Sequence, residues 1–273
     1  MKYVRIAVII LFVASLGLYG ASWIREKQQA DPTRPQITSD REVLEVPCQY
    51  EEAQLLEGLT AEDEKDGDLT DQIIVGSFSQ FVEPGLCSVT YVVFDSANQP
   101  ATLTRQVRFS DYRSPRFTLS EPLVFREGMG ESAITLVGAD DVLDKDLSSM
   151  VRLVDSDVDY QTAGDYTITA EVTNSFGDVE QEQLPVHVVE GSNAALEISL
   201  TTPIVYLGVG EEIDSNSYVE QVTDADGSPV DEPQLTVESQ VNTQAAGCYE
   251  IHYQAVSSQG LTGETWLTVI VRE

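Results

Sequence analysis

The sequence predicts an all-β chain in which three small antiparallel sandwiches follow an N-terminal transmembrane helix. Three observations carry this prediction: an apolar run near the N-terminus, a pattern that recurs about every 80 residues, and short alternating segments separated by Gly, Pro, Asn and Asp. With 273 residues, of which 42% are hydrophobic, the chain can bury several small cores. We expect domains at 28–110, 111–190 and 191–273 after a segment at 1–27, and name them modules 1, 2 and 3.

The N-terminal segment contains an uncharged, mostly apolar run at 6–24. As a helix this run is just long enough to cross a hydrocarbon core of about 30 Å. Lys2 and Arg5 precede it and slightly favour a cytoplasmic N-terminus. We therefore expect a single-pass anchor in the cell membrane, with the bulk of the chain outside the cell. The alternative is a signal peptide cleaved near the small residues at 20–22, which would release a secreted protein.

The repeat is visible at several landmarks along the chain. Residues 31–38 recur at 111–118, and an acidic turn at 61–70 recurs at 139–148 with a constant offset of 78 residues. In each copy a glycine then opens an alternating run, which predicts a half-buried strand. The three glycines are Gly85, Gly164 and Gly247, and a turn follows ten residues after each of them. Landmarks in one register indicate three copies of one module, each a small antiparallel sandwich.

The pattern resembles a family of bacterial Ig-like domains named after a pesticidal crystal protein and found in many surface proteins. The shared features are an Ala-x-Asp-x-x-Asp-Gly-Asp turn, a glycine before an alternating strand that ends near Asp-x-x-Asn, and a basic-tipped last strand. Module 1 matches best, whereas Lys145 replaces Gly67 in module 2, and module 3 keeps only residues 224–227 of the turn. The resemblance implies three tandem Ig-like domains with an extracellular, accessory role and no reaction.

The acidic turns are candidate metal sites, because calcium binds several carboxylate oxygens at once. The candidate ligands are Asp63, Asp66 and Asp68 in module 1 and Asp141, Asp144 and Asp146 in module 2. Ca²⁺ is therefore the candidate cofactor, although no glutamate stands at the twelfth position as in an EF-hand loop. The alternative is that these aspartates form Asx turns and cap backbone amides in a solvated loop.

The cysteines and histidines lie in the predicted strands. Cys87 falls on the inward phase and Cys48 lies in an early strand of the same module, so we expect a Cys48–Cys87 disulfide in an oxidising compartment. Two buried thiols are the alternative. Cys248 falls on the outward phase as the odd thiol. His187 and His252 also fall on the outward phase, where we expect surface residues and no metal site.

The charge of the chain excludes one class of partner. The 46 acidic residues outnumber 15 basic ones, which gives a formal net charge of −31 at pH 7. Affinity for nucleic acid rests on Lys and Arg displacing counterions, so we expect no nucleic-acid partner. Between residues 153 and 273 the one basic residue is Arg272. Such a surface favours solubility and self-repulsion, and the alternative is a surface that holds cations or docks a basic partner.

No Gly-x-Ser-x-Gly elbow or Ser-x-x-Lys motif appears in the sequence, so no catalytic residue is singled out. We expect a non-enzymatic, membrane-anchored extracellular protein that serves as an adhesion or binding module for an unknown protein or glycan, or as a spacer at the bacterial cell surface. The first alternative is an accessory subunit of an envelope complex for secretion, pilus assembly or wall synthesis. The second is a glycan-active enzyme that would use two carboxylates.

Overall fold

The computed structural model of the chain describes residues 11–23, 33–128, 132–191 and 195–273. Of the anchor predicted at 1–27, only 11–23 are among these residues, and they form a helix, α1. Within the described ranges, no helix combines the length and the apolar character that crossing a membrane requires. The remaining elements are almost all strands, and paired sheets enclose the buried residues. The all-β, sandwich-like prediction is confirmed.

Module 1 contains two sheets of three and four strands, in the orders β1-β3-β4 and β2-β7-β6-β5. A short helix, α2 (Glu52–Leu55), lies between β2 and β3, and a turn of 3-10 helix covers Thr70–Gln72. The strands are β1 (Gln36–Ser39), β2 (Val43–Val46), β3 (Leu59–Asp63), β4 (Gly67–Asp68), β5 (Ile74–Phe78), β6 (Leu86–Phe94) and β7 (Pro100–Phe109).

Module 2 repeats this plan with sheets β11-β10-β8 and β12-β13-β14-β9. Turns of 3-10 helix cover Ala133–Leu136 and Ser148–Met150. The strands are β8 (Arg116–Leu119), β9 (Val124–Arg126), β10 (Val137–Asp141), β11 (Lys145–Asp146), β12 (Arg152–Ser156), β13 (Gly164–Thr173) and β14 (Val179–Val189).

Module 3 keeps the four-stranded sheet, in the order β16-β20-β19-β18, and reduces the other sheet to β15-β17. Its strands are β15 (Glu197–Leu200), β16 (Ile204–Gly208), β17 (Val219–Thr223), β18 (Gln234–Ser239), β19 (Gly247–Val256) and β20 (Thr262–Arg272).

The sandwiches are not purely antiparallel. In each module an early short strand pairs in parallel with the last strand, as β2 with β7, β9 with β14 and β16 with β20. After the first strand of one sheet, the chain crosses to the edge of the other sheet without reversing its direction. The short strand that it forms there is therefore parallel to the last strand of the module. This added strand covers the open edge of the last strand.

The alternating strands that follow the three glycines supply the cores, as predicted. In β6 the side chains of Cys87, Val89, Tyr91 and Val93 have no exposed surface. In module 2, Ile168 and Ala170 of β13 share a core with Phe117 of the opposite sheet. The period of two therefore places one face of each long strand between two sheets.

The chain divides into two compact units, Met1–Asp111 and Tyr112–Glu273. Module 1 belongs to the first unit, and modules 2 and 3 together form the second. The division predicted near residue 190 therefore lies inside a compact unit, because side chains of module 3 join the core of module 2.

Candidate functional site

The acidic turns of modules 1 and 2 have the same internal hydrogen bonds. Asp63 Oδ1 accepts the amide hydrogens of Lys65 and Asp66 at 2.8 and 3.0 Å. Asp141 Oδ1 accepts those of Leu143 and Asp144 at 2.7 and 2.8 Å. These are Asx-turn bonds, in which a carboxylate holds the backbone of its own loop.

A second aspartate of each turn ties it to the loop between the two longest strands. In module 1, Asp66 accepts two hydrogen bonds from Ser96, from the amide and from the hydroxyl, both at 2.8 Å. In module 2, Asp144 accepts the same two bonds from Ser175 at 2.6 and 2.8 Å. We call this contact the aspartate–serine clasp. It fixes the same two loops together in both modules.

The third aspartate of each turn caps the following turn of 3-10 helix. Asp68 Oδ1 accepts the amide hydrogen of Thr70, and Asp146 Oδ1 accepts that of Ser148, both at 2.9 Å. The hydrogen bonds from Thr70 and Ser148 lower the pKa of these two exposed carboxyl groups below the usual range.

All six predicted calcium ligands are thus engaged with amides or hydroxyls of their own module. Within the described ranges, no three or more His, Cys, Asp or Glu side chains converge as metal ligands do. These hydrogen bonds agree with the alternative reading, in which the aspartates cap backbone amides. Calcium at the six positions stays a prediction, and an ion there would compete with these bonds.

The two modules differ at the turn residue that directly precedes the clasp serine. In module 2, Asn174 Oδ1 accepts the amide of Asp178 at 2.9 Å, and Asn174 Nδ2 donates to Asp141 Oδ2 at 3.3 Å. In module 1 the matching residue is Asp95, whose Oδ1 accepts the amide of Gln99 at 2.7 Å. The signal that could have found this difference is the alignment of the repeats, which pairs a carboxylate with an amide.

The cysteines lie in two different environments. Cys48 and Cys87 are both buried in module 1. Cys87 is a thiol in the structure rather than half of a disulfide, and burial raises its pKa to about 11. The Cys48–Cys87 bond therefore stays a prediction for the oxidised protein. Cys248 is on the outward phase, as expected, but it packs against the core of module 2, and burial raises its pKa to about 12.

Modules 2 and 3 meet through the outer face of the sheet formed by β16, β20, β19 and β18. Ile270 is 1% exposed and belongs to the core of module 2, although its neighbours Val269 and Val271 belong to the core of module 3. The hydroxyl of Tyr206 donates to the carbonyl oxygen of Phe117 at 3.1 Å. Arg272 pairs with Glu180 at 3.2 Å. The two modules therefore share apolar and polar contacts.

A stack of three rings lies in this interface. The ring of Trp266 lies between His187, at 3.9 Å and 9°, and His252, at 4.2 Å and 10°. His187 Nε2 lies 2.7 Å from a carboxylate oxygen of Glu250, and Nδ1 lies 2.8 Å from one of Asp165. The prediction of a surface position is wrong for His187, whose side chain is 8% exposed. Its phase is outward, but module 3 covers that face.

Two effects act in opposite directions on the pKa of His187. Burial alone would lower the pKa of the imidazole, but the hydrogen bond and charge of Glu250, followed by those of Asp165, raise it above its usual value. Since the carboxylate of Asp165 is 87% exposed and that of Glu250 is 22% exposed, we attribute most of the increase to Glu250.

No protein-family model matches the chain. The chain is 28% identical over 223 residues to the pesticidal crystal protein Cry22Aa of Bacillus thuringiensis, covering 78% of this chain and 29% of that protein. It is also 28% identical over 138 residues to an uncharacterised 81.3 kDa protein of Acholeplasma phage L2, covering 49% of this chain and 18% of that protein. These matches support a distant relationship to the crystal protein, and the chain spans less than a third of either relative.

Among solved structures, the chain resembles the first three extracellular domains of Drosophila N-cadherin, with 11% identity and a TM-score of 0.32. That match covers 89% of this chain and 90% of the cadherin chain.

Proposed function

We propose that the chain is a non-enzymatic, membrane-anchored extracellular protein whose Ig-like modules present a binding surface or act as a spacer at the bacterial cell surface. The observation that supports this most is the repeated module itself, in which the acidic turns serve as internal clasps. In modules 1 and 2 the same aspartates hold the same loops. One strand plan that is repeated three times along a chain favours a structural or binding role over a reaction at a single centre.

The charge of modules 2 and 3 supports exposure to solvent over burial in a complex. Arg272, the one basic residue from 153 to 273, pairs with Glu180 and Glu182. The remaining acidic side chains keep the outer surface anionic, which favours solubility and repels neighbouring copies.

Protease treatment of intact cells tests the location. A chain with a C-terminal epitope tag is expected to lose the tag when protease is added to intact cells, and the unproteolysed chain is expected in the membrane fraction. The control is Leu16→Arg, which places a charge in the apolar run and is expected to reduce the membrane-bound fraction. A tag that is protected in intact cells but cut after lysis contradicts an extracellular location.

A specific observation favours the accessory-subunit alternative. All five residues of edge strand β12 are exposed, and Leu153 and Val154 are 43% and 52% exposed. Two exposed apolar side chains on an edge strand are suited to contact with another chain. The corresponding edge strand of module 1 is β5, where Ile74 is 51% exposed. A photo-crosslinker at 154 is expected to trap one envelope protein in intact cells if this alternative holds, and the same crosslinker at 74 is the control.

A further inference from the structure

Module 1 buries two carboxylate oxygens that no residue in the described part of the chain satisfies. Asp63 and Asp95 are 6% and 7% exposed. Among the described residues, neither Asp63 Oδ2 nor Asp95 Oδ2 has a hydrogen-bond partner. An acceptor that is buried without a partner is costly, and more so when it carries a negative charge.

Module 2 indicates what these two oxygens face. At the matching positions, Asn174 Nδ2 donates to the Tyr112 hydroxyl at 2.9 Å and to Asp141 Oδ2 at 3.3 Å. The Oδ1 atoms of Asp63 and Asp141 accept matching backbone amides, those of Asp95 and Asn174 each accept the amide four residues on, and the aspartate–serine clasp holds the same loops. In this common frame Asp95 Oδ2 takes the place of Asn174 Nδ2. The matched positions therefore hold two acceptors in module 1 where module 2 has a donor and an acceptor.

We infer that Asp63 and Asp95 form a buried two-carboxylate site for a hard divalent cation, with Ca²⁺ as the best match. A positive ion between the two oxygens would supply what the amide of Asn174 supplies in module 2. Calcium accepts carboxylates together with backbone carbonyls and water in irregular geometry, whereas Mg²⁺ demands a nearly ideal octahedron. This site differs from the calcium site predicted from the acidic turn, because Asp66 already binds Ser96 in the clasp and Asp68 already caps the turn of 3-10 helix.

A surface cleft of module 1 is lined in part by Glu62, Asp63 and Glu64, and its acidic side chains attract cations to this part of the module. Arg34 lines the same cleft, but it makes no hydrogen bond to Oδ2 of Asp63 or Asp95. Module 3 has Ser257 at the position of Asp95, so the site is specific to module 1.

Hydrogen exchange of the full chain tests the site, with calcium chloride as the probe. At ten times its dissociation constant, an ion that binds only the closed state lowers the opening equilibrium about elevenfold. We expect amides in 59–70 and 86–99 to exchange about that much more slowly with calcium, while those in 137–148 and 164–178 of module 2 do not change. Magnesium chloride and sodium chloride at matched ionic strength control for screening of the acidic surface.

Two variants make the test specific. Asp95→Asn copies module 2, so it is expected to lose the calcium response and, without calcium, to exchange more slowly than the unaltered chain. Glu62→Gln removes an exposed carboxylate from the same turn and is expected to keep the response. A calcium effect that survives Asp95→Asn, or one that sodium chloride reproduces, overturns the site.

Discussion

Modules 1 and 2 share one strand plan but complete their cores differently. At the twentieth position after the alternating-strand glycine, module 1 has Arg105 where modules 2 and 3 have Leu184 and Leu267. Arg105 is 3% exposed, and its guanidinium donates to the carbonyl oxygens of Leu55 and Glu57, each at 2.7 Å. Module 1 therefore anchors its short helix with a buried cation.

Module 2 uses apolar packing instead and extends it into its neighbour. Leu184 is fully buried in a core that also contains Ile270 of module 3. The core of the same sandwich can thus be closed in two ways. In module 1 a polar contact between a strand and a loop of the same module closes it, and in module 2 the sheet face of the next module does so. The difference predicts that module 1 tolerates changes in module 3, whereas module 2 does not.

The largest expected effect comes from Ile270→Asp, which would bury a charge between modules 2 and 3. An unpaired buried charge is among the most destabilising substitutions, so we expect the free energy of unfolding of the second unit to fall by about 4 kcal/mol or more. In calorimetry modules 2 and 3 should then unfold separately, and the transition of module 1 should not move.

Gln234→Asp is the matched control, because it adds the same charge to an exposed position of the same sheet, opposite Val256. It is expected to change stability by less than about 0.5 kcal/mol. A second unit that still unfolds in one transition in Ile270→Asp would show that the coupling of modules 2 and 3 does not depend on the contact of Ile270 with the core of module 2.

Arg105→Ala is expected to destabilise module 1 alone, by about 3 kcal/mol, because it leaves the buried carbonyl oxygen of Leu55 and the part-buried one of Glu57 without this donor. Arg108→Ala is the control on the same strand: its ion pair with Glu83 is exposed and worth less than about 1 kcal/mol. Urea unfolding of the full chain measures both. Equal losses in the two variants would mean that the buried contacts of Arg105 add nothing.

The sequence allowed the long strands to be predicted because their signal is local. The alternation at Cys87 and Val89 needs only neighbouring residues. The short strands β2, β9 and β16 have three to five residues, too few for a period of two to stand out, so their parallel pairing was not predicted.

The environment of His187 could not be predicted for a different reason. Its phase on β14 was read correctly, but its partners Glu250 and Trp266 lie in another module, 63 and 79 residues further along the chain. No local pattern reports that two outward faces pack together. The role of Asp95 could be predicted only in part. The repeat alignment pairs it with Asn174, but the significance of that difference is clear only once Asn174 is known to donate to Asp141.

The raised pKa of His187 predicts a pH dependence that module 1 should lack. A group whose folded-state pKa is raised contributes its full stabilisation below the unfolded value, about 6.5 for histidine, and loses it as the pH rises through the folded value. We therefore expect the second unit to lose stability relative to His187→Gln as the pH rises above about 6.5 and through the raised pKa of His187.

Urea unfolding of both proteins across this range measures the difference. Glu250→Gln should remove most of the pH dependence and Asp165→Asn less of it, because Asp165 is largely exposed. A pH slope that is the same with and without His187 would assign the dependence to other groups.

The smallest expected effect compares one turn in the two modules. Lys145 has φ of 67°, in the left-handed region, where the matching Gly67 of module 1 has 76°. A residue with a Cβ strains the backbone there by about 1 to 2 kcal/mol. Glycine avoids this strain, but it lowers stability by about 0.4 to 1 kcal/mol because it increases the entropy of the unfolded chain. Lys145→Gly is therefore expected to stabilise the second unit by less than about 1 kcal/mol.

Gly67→Lys should destabilise module 1 by a similar amount, since a Cβ at Gly67 would meet nothing within 4 Å and only the backbone strain would count. Lys145→Ala removes the amine but keeps the strain, so a gain in this variant equal to that of Lys145→Gly would point to charge rather than to the backbone.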